Sequence, residues 1–150
     1  MQNPDIAPEM RLFTPDGERL YLTAEERRRF LDASALESPS ERMFCHVLHY
    51  TGCRPSEALA ISSRHVMIED AAIVIRSLKK HKTDPHGRLK QAQYRSVPVP
   101  PFLIEHLDLV FGLRAQLRRE MNADSVLWPM SRPTAYRLVK RVMYRAGIVG

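Results

Sequence analysis

A glycine followed two residues later by arginine and proline constrains this chain more than any other feature. Gly52 permits a sharp reversal of the backbone, and Pro55 suits the first position of a helix because its φ is preset. Glu57 then falls in the first helical turn, where the helix dipole favours a carboxylate. The run predicts that Arg54 lies where a helix begins, near free backbone amides, with a guanidinium able to bind two phosphate oxygens.

Basic residues are concentrated in the second half of the chain, which has 150 residues and a formal net charge of +6. Residues 1–75 hold 8 Lys/Arg against 12 Asp/Glu (net −4), and residues 76–150 hold 15 against 5 (net +10). This asymmetry favours polyanion binding by the second half, although a solvated basic face has the same composition. No apolar stretch approaches the ~20 residues that span a bilayer, so we expect a soluble intracellular protein with no membrane partner.

The two cysteines do not indicate a disulfide framework or a metal site. Cys45 and His49 are spaced i, i+4, and Cys53 follows four residues later, so a zinc site is one interpretation. The spacing matches none of the common zinc patterns, and a buried cysteine on an apolar helix face is ordinary. We therefore expect reduced thiols and no metal.

The first half of the chain is predicted to be mainly helical. Residues 1–20, with three prolines, predict an irregular lead-in to a domain at residues 21–150. Capping boxes at residues 23–26 and 38–41 predict one helix to about Ala33 and a second that ends at Gly52. A third, shorter helix is expected from Pro55.

A basic β-hairpin is predicted to follow. Alternation at residues 66–68 and a β-branched run at residues 72–75 predict two short strands. Asp84-Pro85-His86-Gly87 is a turn signature between residues 73–82 and 89–99, which predicts a long hairpin. Its basic residues, expected to lie along a phosphate backbone, are Arg76, Lys79, Lys80, Lys82, Arg88, Lys90 and Arg95.

The second half is predicted to end in two or three helices. The first follows Pro101, is stopped or bent by Gly112, and has an apolar face of Phe102, Leu103, Ile104, Leu107, Leu109, Val110 and Phe111. Residues 113–122 continue as helix, and a last helix, capped by Ser131, runs to about Ala146 before Gly147. Basic residues on that helix, Arg132, Arg137, Lys140, Arg141 and Arg145, are a second candidate DNA surface, with a solvated charged face as the alternative.

Three of these segments resemble one family. Residues 49–60 closely resemble the first arginine box of phage-integrase-type tyrosine recombinases. The hairpin that ends at residues 94–100 is similar to that family's β-hairpin with its catalytic lysine, and residues 131–148 are similar to the helix before its second catalytic box. The three motifs occur in the family's order over roughly residues 20–150.

The resemblance implies a mainly α fold with a small antiparallel sheet and hairpin, the catalytic domain of a DNA breaking-rejoining enzyme. It implies strand transfer through a 3′-phosphotyrosyl intermediate with no metal or nucleotide cofactor, double-stranded DNA as partner and a tetramer on DNA, in the bacterial cytoplasm or nucleoid. Arg54 matches the phosphate-clamping arginine, and Glu57 a supporting residue that orients the turn. Lys79 matches the general-acid lysine, with Lys82 as the alternative.

The chain also departs from the family's pattern. In the family, a His-x-x-Arg box and a nucleophilic tyrosine follow these motifs. Tyr136 and Tyr144 lie upstream of where that box would begin, so neither of them matches the nucleophile. We therefore expect a C-terminally incomplete catalytic domain with no nucleophile in this chain, which binds DNA weakly and performs no strand transfer alone. A fragment of a longer recombinase is favoured over a naturally shortened protein, because a boundary just after a helix is well tolerated.

Two hypotheses outside enzymology use the same residues. A non-catalytic DNA-binding module or regulator needs the basic hairpin and helix but no nucleophile. A helical interaction domain without a nucleic-acid partner predicts a binding affinity that is insensitive to salt.

Overall fold

The computed structural model describes residues 22–77, 93–119 and 123–148, which form six α-helices, two short 3-10 helices (Ser34–Leu36 and Ser63–His65) and a three-stranded antiparallel sheet. The helices are α1 (Ala24–Ala33), α2 (Pro39–Thr51), α3 (Pro55–Ala58), α4 (Pro101–Phe111), α5 (Leu113–Arg119) and α6 (Arg132–Arg145). The predicted lead-in at residues 1–20 lies outside the described residues. None of these helices is both long and apolar enough to cross a membrane.

The predicted helix starts are confirmed by their caps. The backbone N–H of Thr23 donates to Glu26 at 3.0 Å, and the Thr23 hydroxyl accepts from the Glu26 N–H at 3.1 Å. At α2 the Ser38 hydroxyl accepts from the Glu41 N–H at 3.4 Å, and the same hydroxyl donates to the Glu41 carboxylate at 2.7 Å. Gly52 ends α2 in the left-handed conformation with φ 69°. Local chemistry therefore fixes where these helices begin and end.

The sheet confirms the base of the predicted hairpin. Its strands are β1 (Val66–Met67), β2 (Ala72–Ser77) and β3 (Gln93–Pro98), in the order β1-β2-β3. Ile73 stands opposite Val97, and Ile75 opposite Arg95. The predicted turn at residues 84–87 lies outside the described residues. β3 is an outer strand of the described sheet.

The core lies between the buried face of the sheet and the helices. Its largest fully buried side chains include Trp128, Phe44, Ile73, Ile75, Leu103, Leu107 and Leu138. Trp128 packs edge-on against Phe44 and Phe111, with ring centroids 5.3 and 5.5 Å apart, and its indole N–H donates to the Ser40 carbonyl at 2.8 Å. This side chain fastens the loop before α6 to α2.

The apolar face predicted for α4 is too wide. Leu103, Ile104 and Leu107 are buried, but Leu109 is 83% exposed and Phe102 is 48% exposed. Leu109 lies two residues after Leu107, which is about half a turn around the helix, so one core-facing stripe cannot contain both. Counting apolar residues overestimated the part of α4 that the core covers.

We predict that Trp128→Phe lowers the free energy of unfolding by about 1–3 kcal/mol, because it removes a buried hydrogen bond and leaves a gap beside two rings. Leu109→Ala, on the exposed side of α4, should change it by less than ~0.5 kcal/mol. Urea denaturation of both variants measures the difference. Equal effects would contradict the placement of the core.

Candidate nucleic-acid interface

The turn that carries Arg54 is built by hydrogen bonds around Gly52. The Gly52 N–H donates to the Leu48 carbonyl at 3.0 Å, and the Cys53 N–H donates to the Thr51 hydroxyl at 3.2 Å. Arg54 follows in an extended conformation and precedes the first residue of α3. We call residues 51–54 the arginine turn. Arg54 is exposed, and its guanidinium takes part in none of the ion pairs found among the described residues.

Glu57 fixes the orientation of this turn. Its Oε1 accepts a hydrogen bond from the Arg54 backbone N–H at 2.9 Å. Both oxygens also accept from the Arg95 guanidinium, Nη1 to Oε2 at 3.2 Å and Nη2 to Oε1 at 3.3 Å. The Glu57 side chain is only 9% exposed. The predicted supporting position of Glu57 thus has a geometric basis: the carboxylate ties the turn to strand β3.

The charge of Glu57 is maintained despite its burial. Burial raises the pKa of this carboxyl, but the hydrogen bonds from Arg95 and the Arg54 N–H, together with both positive charges, outweigh burial and hold the pKa below its usual value. The carboxylate therefore stays ionised at neutral pH and keeps both donors.

The backbone amides at the start of α3 contribute less to anion binding than the sequence predicted. α3 has only four residues, Pro55–Ala58, and its proline lacks an N–H. The Arg54 amide already donates to Glu57. Because a one-turn helix has a small dipole, binding of a phosphate at this turn depends on the guanidinium of Arg54.

The hairpin residues predicted to bind DNA fall into three groups. Arg76 lies on β2 and is exposed. The lysines and arginine toward its tip, Lys79, Lys80, Lys82, Arg88 and Lys90, lie outside the described residues. Arg95 lies on β3, and its guanidinium contacts Glu57. This ion pair has no local sequence signal, because the two residues are 38 positions apart.

The structure divides the basic face predicted for α6. All five basic residues of this face are exposed, and two of them also pair with glutamates. Arg141 contacts Glu37 and Glu41, and the Arg145 guanidinium lies 2.7 Å from Glu37. A groove of about 700 Å³ runs along the helix. It is lined by Tyr136, Arg137, Lys140, Arg141, Met143, Tyr144 and Ile148.

Glu37 is the centre of an ion-pair cluster with Arg141 and Arg145, which we call the Glu37 cluster. The hydrogen bond from Arg141 lowers the pKa of Glu37; burial opposes this, and Arg145 lowers it further. Arg145 also donates to the Ala33 carbonyl at 2.9 Å, so the two arginines fasten α6 to the segment between α1 and α2. Loss of one arginine would leave Glu37 paired with the other, whereas loss of both would leave a buried carboxylate without a positive partner.

The cysteines lie inside the protein. Cys45 and Cys53 are free and buried. Burial, followed by the charges of Glu37 and Glu41, raises the pKa of Cys45 to about 12, so its thiolate is scarce at neutral pH. Across the described ranges no three His, Cys, Asp or Glu side chains are grouped as a metal site would require.

Comparison with solved structures identifies a similar fold. The chain is similar to the crystal structure of XerA recombinase, with a TM-score of 0.59 and 22% identity, over 87% of this chain and 44% of that one. The chain thus spans less than half the length of that protein. No protein-family model and no curated protein matches the chain. The fold of this chain is recombinase-like, which supports the motif resemblance at the level of architecture.

The Glu37 cluster generates a prediction about pH. The pKa of Glu37 is lower in the folded protein than in the unfolded chain. Its ion pairs with Arg141 and Arg145 therefore stabilise the protein above the ordinary pKa of glutamate, and this stabilisation is lost as the pH falls through the pKa of folded Glu37. Glu37→Gln should lower the free energy of unfolding by about 1–3 kcal/mol at pH 7, and should flatten its decline between about pH 5 and pH 3. Thermal or urea unfolding across that range measures both effects.

Glu69, exposed between β1 and β2, provides the control for this experiment. Glu69→Gln removes the same charge and should leave the unfolding free energy at pH 7 within ~0.5 kcal/mol of the wild-type value. A Glu37→Gln protein with wild-type stability and wild-type acid sensitivity would show that the cluster does not hold α6 in place.

Proposed function

We propose that this chain contributes the first half of the active site of a tyrosine site-specific recombinase, and that it binds double-stranded DNA. The observation that carries the proposal is the position of Arg54: exposed, at the start of α3, and oriented through a buried carboxylate, within a recombinase-like fold. The motif order in the sequence supports the same assignment. A planar guanidinium held in this way is suited to two oxygens of one phosphate.

The proposed reaction is a phosphoryl transfer without hydrolysis. A tyrosine hydroxyl attacks a DNA phosphorus and gives its proton to a base, a 3′-phosphotyrosyl bond forms, and the bond from phosphorus to the 5′-oxygen breaks. The 5′-oxygen leaves with a proton from a general acid, and attack by another strand's 5′-hydroxyl reverses the step. Arg54 would stabilise the negative charge that develops on the non-bridging oxygens. The proposal assigns no residue of this chain to the roles of nucleophile and second arginine.

The general acid is proposed to be a hairpin lysine, Lys79 in preference to Lys82. Counted along the sequence from Ile73, Lys79 matches the register of the family's lysine, and this resemblance supports the choice. An ammonium desolvated against DNA loses its proton more readily than one in water, as the role requires. Glu57 takes no part in proton transfer in this proposal and acts by orienting Arg54.

The proposed DNA-binding surface joins the hairpin and α6. Hairpin residues Lys80, Lys82, Arg88 and Lys90 would contact backbone phosphates. On α6 the proposal relies on Arg132, Arg137 and Lys140, which are exposed. Assembly of several copies on DNA is part of the same proposal, since strand exchange involves two duplexes.

DNA binding is testable with the chain itself. If about five phosphates are contacted, the affinity for a duplex should fall by roughly 10²-fold or more between 50 and 200 mM salt. Arg54→Ala should weaken binding and reduce the magnitude of the salt slope by about 0.9, because one phosphate contact is lost. Fluorescence anisotropy with a labelled duplex measures both quantities.

Arg114→Gln is the matched control for Arg54→Ala. The Arg114 guanidinium is paired with Glu105 at 2.8 Å and Asp108 at 2.7 Å, so it should contribute no phosphate contact, and its loss should leave the salt slope unchanged. A flat salt response of the wild-type chain would overturn the proposal and favour an interaction domain without a nucleic-acid partner.

A further inference from the structure

Arg95 lies where the buried face of the sheet reaches its edge. It stands directly opposite Ile75, which is 0% exposed, on the outer strand β3. Opposed residues of an antiparallel pair project to the same face, and successive residues alternate between faces. Arg95 therefore shares the core-facing side with Ile73 and Ile75, whereas Arg76 and its partner Tyr94 belong to the other side. At this edge the Arg95 side chain reaches the Glu57 carboxylate and stays 45% exposed.

The Arg95 guanidinium is already used within the chain. It donates to both oxygens of Glu57, at 3.2 and 3.3 Å, and Glu57 accepts the Arg54 amide on the same carboxylate. Two parallel bonds to one carboxylate fix direction as well as distance. A ligand that drew both of these N–H groups away would leave a carboxylate that is 9% exposed without its positive partner.

We propose that Arg95 is a positioning residue that holds the arginine turn against strand β3 through Glu57, and that it does not itself bind phosphate. The inference deepens the proposed function and rests on it, because the group that Arg95 positions is the guanidinium of Arg54. It also replaces the role that the sequence suggested for Arg95, a direct contact with DNA. Arg95 affects DNA binding only through the Glu57 carboxylate.

Whether Arg95 holds the arginine turn in place can be tested without DNA. In Arg95→Gln the Arg54 amide should exchange with solvent about tenfold faster, because the carboxylate that accepts its hydrogen bond is no longer held. Arg76→Gln removes the same charge from the opposite side of the β2–β3 ladder and should leave that exchange rate unchanged. Amide exchange followed by NMR on the 150-residue chain gives both rates. Unchanged exchange at Arg54 in Arg95→Gln would overturn the proposal.

The functional part is tested by the direction of the effect of Glu57→Gln on DNA affinity. Removing an acidic charge from a DNA-facing surface should strengthen binding if only charge matters. If Glu57 and Arg95 position Arg54, Glu57→Gln should instead weaken binding about five- to tenfold, and the double variant with Arg95→Gln should be no weaker than either single variant. Tighter binding by Glu57→Gln, or additive losses, would overturn the proposal.

The salt slope separates positioning from contact. Introduced into the Arg54→Ala chain, Arg95→Gln should change neither the affinity nor the slope further if Arg95 only positions Arg54, whereas loss of a separate phosphate contact would reduce the slope by about another 0.9, one contact's worth. If Arg95→Gln does not fold, Arg95→Lys replaces it. This variant keeps the positive charge but loses the planar guanidinium that donates two hydrogen bonds to Glu57. A positioning role predicts weaker DNA binding by Arg95→Lys, and a phosphate contact predicts wild-type binding. If the wild-type chain shows no salt-dependent DNA binding, the proposed function fails, and amide exchange at Arg54 still decides whether Arg95 holds the turn.

Discussion

The carboxylate of Glu57 joins three parts of the chain that the rest of the site depends on: the turn after α2, the start of α3 and the edge strand β3. One oxygen accepts from the Arg54 amide, and both accept from the Arg95 guanidinium. Burial alone would favour the neutral acid, but two arginines and the amide keep it charged. The direction in which Arg54 projects is therefore set by a long-range ion pair as much as by the turn itself.

Features governed by neighbouring residues were predictable from the sequence. The caps at Thr23 and Ser38, the left-handed Gly52 and the start of α3 at Pro55 all occur as expected. The base of the hairpin was also predictable, because a β-branched run at residues 72–75 precedes a turn signature, and its strands pair with Ile73 opposite Val97. These features depend on backbone geometry within a few residues, so a local pattern is sufficient to define them.

Contacts between distant segments were not predictable. Nothing near Arg95 in the sequence indicates Glu57, and nothing near Arg141 indicates Glu37, 104 residues away. Charge counting therefore assigned Arg95, Arg141 and Arg145 to DNA, whereas the fold gives each of them a carboxylate partner. These basic residues pair with buried acids while remaining exposed, and only the three-dimensional arrangement reveals the pairing.

Covalent capture of DNA tests most directly whether the arginine turn belongs to a strand-transfer site. The complete gene product is incubated with a nicked suicide duplex, so that the 5′-hydroxyl fragment diffuses away and a phosphotyrosyl adduct accumulates. We expect a denaturation-resistant protein–DNA adduct that decreases about 10²-fold or more in Arg54→Ala and persists in Arg114→Gln. Salt-dependent DNA binding without any adduct would contradict strand transfer and identify a non-catalytic DNA-binding module on the same fold.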